Sequence, residues 1–417
     1  MALAVGIFVV ALAVIASERV HRTKIALVGA ALVVVSQTIG QEGAIEAIDF
    51  NTIGLLAGMM LIVRLTEPSG VYNYLAIRAG QLSRGRPILV VAALAGTTAV
   101  LSAFLDNLTT VLLMVPITFL LADTLDIEPI PLVIIEIIAS NVGGTATLIG
   151  DPPNILIAGA TDLTFLEFIV NLAPIAALTF LIVTGLLYLA LRRNFRIGPE
   201  ARERVMSLDA GKSIEDPDEL RRTVPIAVLT IFAFFLQGAL GLEPATIALT
   251  GASVMLLATR QTLEDALSGI EWSTLFFFLG LFVMVGALEE TGAIDEVAEA
   301  VGSVTDEQRT AELLGIMWIS AVGSGIVDNI PFTTAMIPVV EELRGDSGDD
   351  AYWWALSLGA CFGGNATLVA AAANVAAAGM AERAGRPVGF LQFLKYGLPV
   401  TVLSIALATG YMLVRYV

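Results

Sequence analysis

Charge, cysteine and histidine are all scarce in this chain of 417 residues, and each shortage removes a class of function. With one cysteine, Cys361, no internal disulfide can form, and a lone thiol inside the apolar run Gly359-Ala360-Cys361-Phe362 reads as a small apolar residue. With one histidine, His21, in a loop beside Arg22, no metal-ligand spacing exists. The chain has no Gly-x-x-x-x-Gly-Lys-Ser/Thr loop for a nucleotide and no soluble segment large enough to hold a cofactor. The expectation is therefore a protein that is not an enzyme and has no cofactor. ATP drive would require a separate ATPase partner. A net charge of −17 argues against a nucleic-acid partner.

What is plentiful is apolar surface. The chain is 57% hydrophobic and 15% charged, with a mean hydropathy of +0.84. Soluble domains carry about 45–50% apolar and about 25% charged residues, so the excess here needs lipid as its solvent. Apolar stretches of roughly 17–25 residues recur along the length, each enough to cross a hydrocarbon core of about 30 Å. Residues 1–17 have the length of a leader, but they lack a basic start and are followed by Arg19, His21, Arg22 and Lys24. They read as a retained first span.

The predicted spans are 2–18, 24–40, 50–66, a hairpin at 88–122, a broken span at 130–160 and a span at 168–191. A polar linker, 192–222, follows. The second half gives 224–240, 245–259, 272–288, a hairpin at 311–341, a broken span at 352–380 and a last span at 396–415. The halves match. An offset of 222 pairs Ile25–Ala30 with Ile247–Ala252, Gly58 with Gly280, Glu67 with Glu289, Gly70 with Gly292, Asp106-Asn107 with Asp328-Asn329 and Pro116 with Pro338. An offset of 220 then pairs Gly143-Gly144-Thr145-Ala146-Thr147-Leu148 with Gly363-Gly364-Asn365-Ala366-Thr367-Leu368. One register held across Gly, Asp-Asn and Pro is the signature of an internal repeat.

Each half then holds five crossings and one hairpin that returns to its own side, which places the second half upside down. Basic residues prefer cytoplasmic loops. With the N-terminus outside, the basic loops at 19–24, 78–86, 192–222, 260 and 383–395 fall in the cytoplasm, and of 22 Lys and Arg only Arg309, Arg344 and Arg415 fall outside. The acidic stretches Asp295–Glu307 and Glu341–Asp350 lie outside. The fold class expected is an all-α polytopic membrane protein of two inverted repeats, in the plasma membrane with its linker cytoplasmic.

Inverted repeats with interrupted helices mark many secondary transporters, whose sites lie near the midplane. Gly143-Gly144 through Asp151-Pro152-Pro153-Asn154 is expected to break a helix, since the glycines are flexible and the prolines lack amide hydrogens. Helix ends freed at depth offer amides to anions and carbonyls to Na⁺. Thr145, Thr147, Asn154, Asn365, Thr367 and Asn374 add neutral donors and acceptors there, although capping alone would also suit them. Asp106 and Asp328 sit inside apolar text at the hairpin tips, where a carboxylate is expensive and is a functional candidate by default. With Asn107 and Asn329 they are the candidate Na⁺ ligands, and Thr109 and Thr333 follow in the same tips. Asp151 is a third acid and breaks the symmetry, because Ala371 stands at its matching place. Glu136 is a weaker candidate with no partner motif. No Arg or Lys lies in the middle of a predicted span, so an anion would rest on amides, hydroxyls and co-bound cations.

The run Ser140-Asn141-Val142-Gly143-Gly144-Thr145-Ala146-Thr147-Leu148-Ile149-Gly150-Asp151-Pro152-Pro153-Asn154 resembles the ion transporter superfamily, within it the ArsB/NhaD permease group and its P-protein (pink-eyed dilution) branch. Asp328-Asn329-Ile330-Pro331-Phe332-Thr333 and Gly359 to Leu368 are similar to that branch too. The resemblance implies scaffold parts at 1–87 and 223–290, transport elements at 88–160 and 311–380, an elevator motion and a homodimer. More distant divalent anion/sodium symporters carry Ser-Asn-Thr at their tips, where this chain has Asp-Asn.

Together these point to a secondary active transporter for a small inorganic or organic anion or oxyanion, coupled to Na⁺ or H⁺. Asp106, Asp328, Asn107 and Asn329 would take the cation, Asp151 and Asn154 would complete one side, and Gly143, Gly144, Gly363 and Gly364 with their Thr and Asn neighbours would line the substrate. The rivals are a cation/proton antiporter, an arsenite efflux permease and a passive anion channel. The expected partners are membrane lipid and a small ion.

Overall fold

The computed structural model describes residues 1–417 except 18, 196, 306 and 307. Arg196 of the linker and Asp306 and Glu307 of the acidic stretch therefore lie outside the described residues. The chain is all-helical, and among the described residues no strand occurs. Its first half holds α1 (Ala2–Ala16), α2 (Arg22–Val35), α3 (Phe50–Thr66), α4 (Val71–Leu82), α5 (Pro87–Phe104), α6 (Asn107–Leu125), α7 (Ile130–Gly144), α8 (Pro152–Gly159) and α9 (Phe165–Leu191). The linker carries α10 (Pro199–Ser207). The second half holds α11 (Pro217–Phe235), α12 (Pro244–Ala258), α13 (Trp272–Glu290), α14 (Ala293–Thr305), α15 (Arg309–Ile326), α16 (Asn329–Arg344), α17 (Ala351–Gly363), α18 (Ala372–Arg383) and α19 (Phe390–Arg415).

Local chemistry sets the boundaries. Pro87, Pro152, Pro217 and Pro244 open α5, α8, α11 and α12, where the missing amide hydrogen costs nothing. Asp49, Asp106, Asp216, Asp328 and Thr164 cap the starts of α3, α6, α11, α16 and α9 through side-chain oxygens. The span expected at 224–240 begins at Pro217, inside the expected linker, because Asp216 and the acidic first turn of Asp218 and Glu219 start the helix earlier. Among the described residues six stretches are long and apolar enough to cross a membrane: those of α3, α5, α6, α9, α13 and α19. The shorter apolar helices α1, α7 and α12 accompany them.

Close crossings hold the halves together. α2 crosses α13 where a Cβ on Gly280 would stand 2.6 Å from the Ala26 backbone, and α3 crosses α12 where one on Gly58 would stand 2.7 Å from the Ala248 backbone. These contacts match at the 222 offset, so the first half packs on the second through its own equivalent residues. α5 lies along α7 and α15 lies along α17 in the same matched way.

The helix breaks differ from expectation in one respect. Gly143 and Gly144 remain helical as the last turn of α7, Pro152 and Pro153 open α8, and the interruption is the stretch 145–151 between them. Gly143 is required by approach rather than by flexibility, since its Cβ would meet the Ala99 carbonyl oxygen at 2.3 Å. Gly363 ends α17 likewise, against the Ala321 carbonyl at 2.7 Å.

Candidate functional site

The site forms where the two hairpin tips meet the two breaks. Each tip is a two-residue interruption between paired helices, α5–α6 at Leu105-Asp106 and α15–α16 at Val327-Asp328. Each is clamped by the neighbouring break in the same way. The Thr147 hydroxyl donates to the Ala103 carbonyl, and the Thr367 hydroxyl donates to the Gly325 carbonyl at 2.8 Å. Ser102 donates to the Ser140 carbonyl at 2.8 Å and Ser324 to the Ala360 carbonyl at 2.7 Å. Across each break an asparagine ties the second segment to the first. Asn154 donates to the carbonyls of Thr145 and Thr147 at 3.1 and 2.8 Å, and Asn374 to those of Gly364 and Thr367 at 2.7 and 2.9 Å. In these bonds Thr147, Thr367, Asn154 and Asn374 satisfy backbone groups that the interruption leaves open.

A second layer joins the halves. Asn141 donates to the side-chain oxygens of Asn365 and Asn374, both at 3.0 Å. At the matching position Cys361 lies 3.7 Å from the Asn154 side-chain oxygen, which also accepts from Ser357 at 2.5 Å. Sequence reasoning alone assigns no role to Asn141, Ser140, Ser102 or Ser357. Asn141 and Ser140 belong to the Ser140–Asn154 run, but Cys361 and Ala360 match them in the second half, so the repeat does not mark them.

At the centre is Asp151, fully buried. Its Oδ1 accepts from Asn107 at 2.9 Å and from Asn329 at 3.2 Å, one donor from each tip. Among the described residues its Oδ2 has no hydrogen-bond partner, and neither has Nδ2 of Asn365. A half-satisfied carboxylate in an apolar interior is costly, and a proton or a cation at the bare oxygen removes that cost. Among the described residues no three acids, histidines or cysteines cluster as for a transition metal.

The tip acids themselves turn aside from Asp151. Asp106 accepts from the Thr109 amide at 2.8 Å and hydroxyl at 2.5 Å, and so caps α6. Asp328 caps α16 through the Ile330 amide at 2.9 Å. Thr145 and Thr333 bond carbonyls one turn back, Asn141 at 2.8 Å and Asn329 at 2.6 Å. Glu136 is buried with Thr118 on one oxygen at 2.5 Å and, among the described residues, nothing on the other. Arg22 departs from expectation. Placed by sequence in a loop, it reaches a tip and donates to Asp328 at 3.0 Å, so the site does include a cation. Sequence spacing carries no sign of a contact between residues 306 positions apart. A cavity of about 560 Å³ adjoins this pair, lined by Leu108, Val327 and Ala372 on one wall and by His21, Glu271 and Thr274 on the other.

Helices interrupted at buried depth, a polar centre shared by two tips and an adjoining cavity define an integral membrane transporter. The chain belongs to the citrate transporter family (CitMHS), whose pattern matches residues 12–359. It is 42% identical to an uncharacterized transporter of Mycobacterium tuberculosis over 421 residues, 99% of this chain and 98% of that one. It is 34% identical to the human P protein over 97% of this chain, and covers 59% of that longer protein. The fold is that of the Alcanivorax borkumensis YdaH transporter, with a TM-score of 0.58 and 17% identity over 89% of this chain and 87% of that one.

Proposed function

We propose that this transporter moves a small organic or inorganic anion across the plasma membrane with Na⁺ or H⁺ as the coupling ion. The observation that carries this reading is that both tips close on one carboxylate, Asp151, whose second oxygen has no hydrogen-bond partner among the described residues. A cation there would sit on the carboxylate that Asn107 and Asn329 both hold, and so tie the two hairpins to its occupancy. The cargo would occupy the adjoining cavity, whose apolar wall and Arg22 suit a carboxylate or oxyanion. Membership of a citrate transporter family supports an organic acid as the first candidate. Inverted repeats, an elevator motion of the tips and breaks against 1–87 and 223–290, a homodimer and an N-terminus outside complete the proposal.

The competing reading is cation/proton antiport. It is favoured by the acids Asp106, Asp151, Asp328 and Glu271 around a single Arg22. Proteoliposomes holding a pH dye, given a Na⁺ gradient without added anion, separate the two. Anion coupling predicts no flux until an anion such as citrate is supplied, and loss of that flux in Asp151→Asn. Na⁺-driven proton movement with no anion, abolished in Asp106→Asn and Asp328→Asn, would make the antiporter correct.

A further inference from the structure

Asp106 and Asp328 occupy equal places in the two tips but are satisfied by different means. Asp106 finds two donors on its own helix, the amide and hydroxyl of Thr109. At the place of Thr109 the second tip has Pro331, which offers neither. Asp328 therefore keeps one local donor, the Ile330 amide on Oδ1, and its Oδ2 takes a terminal nitrogen of Arg22 at 3.0 Å. In the other half Pro244 stands where Arg22 would match, so the pair has no counterpart.

Three features set this pair apart from a structural salt bridge. The Arg22 side chain is 21% exposed, against 8% for Asp328, and both residues line the cavity. The guanidinium carbon lies 5.0 Å over the Phe277 ring, within reach of a cation–π attraction. Among the described residues Asp328 is its one hydrogen-bond partner, through one nitrogen. A guanidinium can grip a carboxylate or oxyanion through two parallel N–H groups, and that bidentate grip is the stronger one. The fork is thus half filled by a carboxylate of the protein, with a cavity beside it.

We propose that Arg22 is the cargo-recognition residue and that Asp328 is its resting partner, displaced when a carboxylate or oxyanion takes the fork. This rests on the anion reading above. Asp328 then acts as a built-in competitor that keeps cargo affinity low enough for release. Once displaced it retains only the Ile330 amide, and a cation compensates the freed charge.

Citrate binding to the full chain in nanodiscs, measured by titration calorimetry, tests this in wild type, Asp328→Asn, Arg22→Lys and Arg22→Gln, with each variant's unfolding temperature recorded. Removing the competitor in Asp328→Asn should tighten citrate about tenfold, within the usual range of site coupling. Arg22→Lys, which keeps the charge but loses the fork, should weaken it about tenfold. Arg22→Gln should abolish binding. If wild type binds citrate but Asp328→Asn binds no tighter, or Arg22→Gln binds as well, the assignment of Arg22 is wrong while the anion reading stands. Should Arg22→Gln fail to fold, equal affinities of Arg22→Lys and wild type overturn the assignment in its place. Citrate binding to none of them, including Asp328→Asn with its fork free, overturns both this proposal and a carboxylate cargo.

Discussion

The two junctions between tips, breaks and neighbouring helices are built from matching residues, yet one is closed and the other open. At the first, Asp49 and Thr52 at the head of α3 press on α8. The Thr52 hydroxyl donates to the Ile155 carbonyl at 3.3 Å, and Gly159 sits directly against Asp49. At the second, the matching Glu271 and Thr274 at the head of α13 face Ala372, Val375 and Ala376 of α18 across the cavity of about 560 Å³. Ile155 is 2% exposed and its match Val375 is 40% exposed. Smaller cavities of about 140 and 170 Å³, at Val63–Glu67 and Val285–Glu289, do match each other. The near-symmetry of the halves is therefore broken chiefly at one place, where α18 stands away from α13. Of the two junctions, it is the second that holds the cavity.

The largest effect should come from the glycines of the two junctions. A Cβ on Gly159 would stand 1.8 Å from an Asp49 oxygen and 2.4 Å from the Thr52 hydroxyl, whereas one on Gly379, its match, would meet nothing nearer than Arg383 at 3.6 Å. Asp49 cannot easily turn away, because its other oxygen caps α3 through the amides of Asn51 and Thr52 at 2.8 and 3.2 Å. Gly159→Ala should cost about 1–3 kcal/mol by overpacking and lost capping. Gly379→Ala should be neutral or stabilise by roughly 0.5–1 kcal/mol, since alanine is the better helix residue. Unfolding temperatures in detergent measure both, and equal losses would dissolve the contrast.

Accessibility sharpens the same comparison. In a Cys361→Ser background, Val375→Cys should react with a water-soluble maleimide at least about tenfold faster than Ile155→Cys, as exposure of the thiol governs its reaction. Equal rates would mean that both junctions open alike in the membrane. The smallest effect belongs to the surface ion pair between Arg309 and Asp349, at 2.5 Å. Burial pushes the Asp349 carboxyl up, but the Arg309 bond and the Ala351 amide outweigh it and hold the group below its ordinary range. A lowered value means stability that is present above the ordinary carboxylate range and fades as pH falls through it. Asp349→Asn should cost under about 1 kcal/mol at pH 7, and the difference from wild type should shrink below about pH 4.

Much of the candidate site was legible from single residues. Carboxylates in apolar runs marked Asp106, Asp151 and Asp328, and the repeat marked Asn107, Asn329, Asn154 and Asn374, whose bonds follow the offsets. Less legible was the division of labour among them. Asp106 and Asp328 share a motif, but Thr109 against Pro331 decides that one is satisfied locally and the other is not. That difference is written in the sequence and becomes meaningful only once Oδ2 of Asp328 is seen to need a distant donor. Asn141 is hidden from repeat matching because Cys361 replaces it in the second half. In sequence the glycines of the breaks suggest flexibility, whereas the Ala99 and Ala321 carbonyls show that they serve close packing.

By itself the sequence determined that this is a membrane protein of helices, and roughly where most of its spans lie, because hydropathy, proline and capping act within a few residues. It also marked Asp106, Asp151, Asp328 and Glu136, since an acid stands out against apolar text wherever the chain carries it. Tertiary structure alone decided that Arg22 meets Asp328, that Asp151 takes one amide from each tip, and that one of two matching junctions is open. Those are contacts between residues far apart in the chain, settled by packing of whole helices, and no local spacing encodes them.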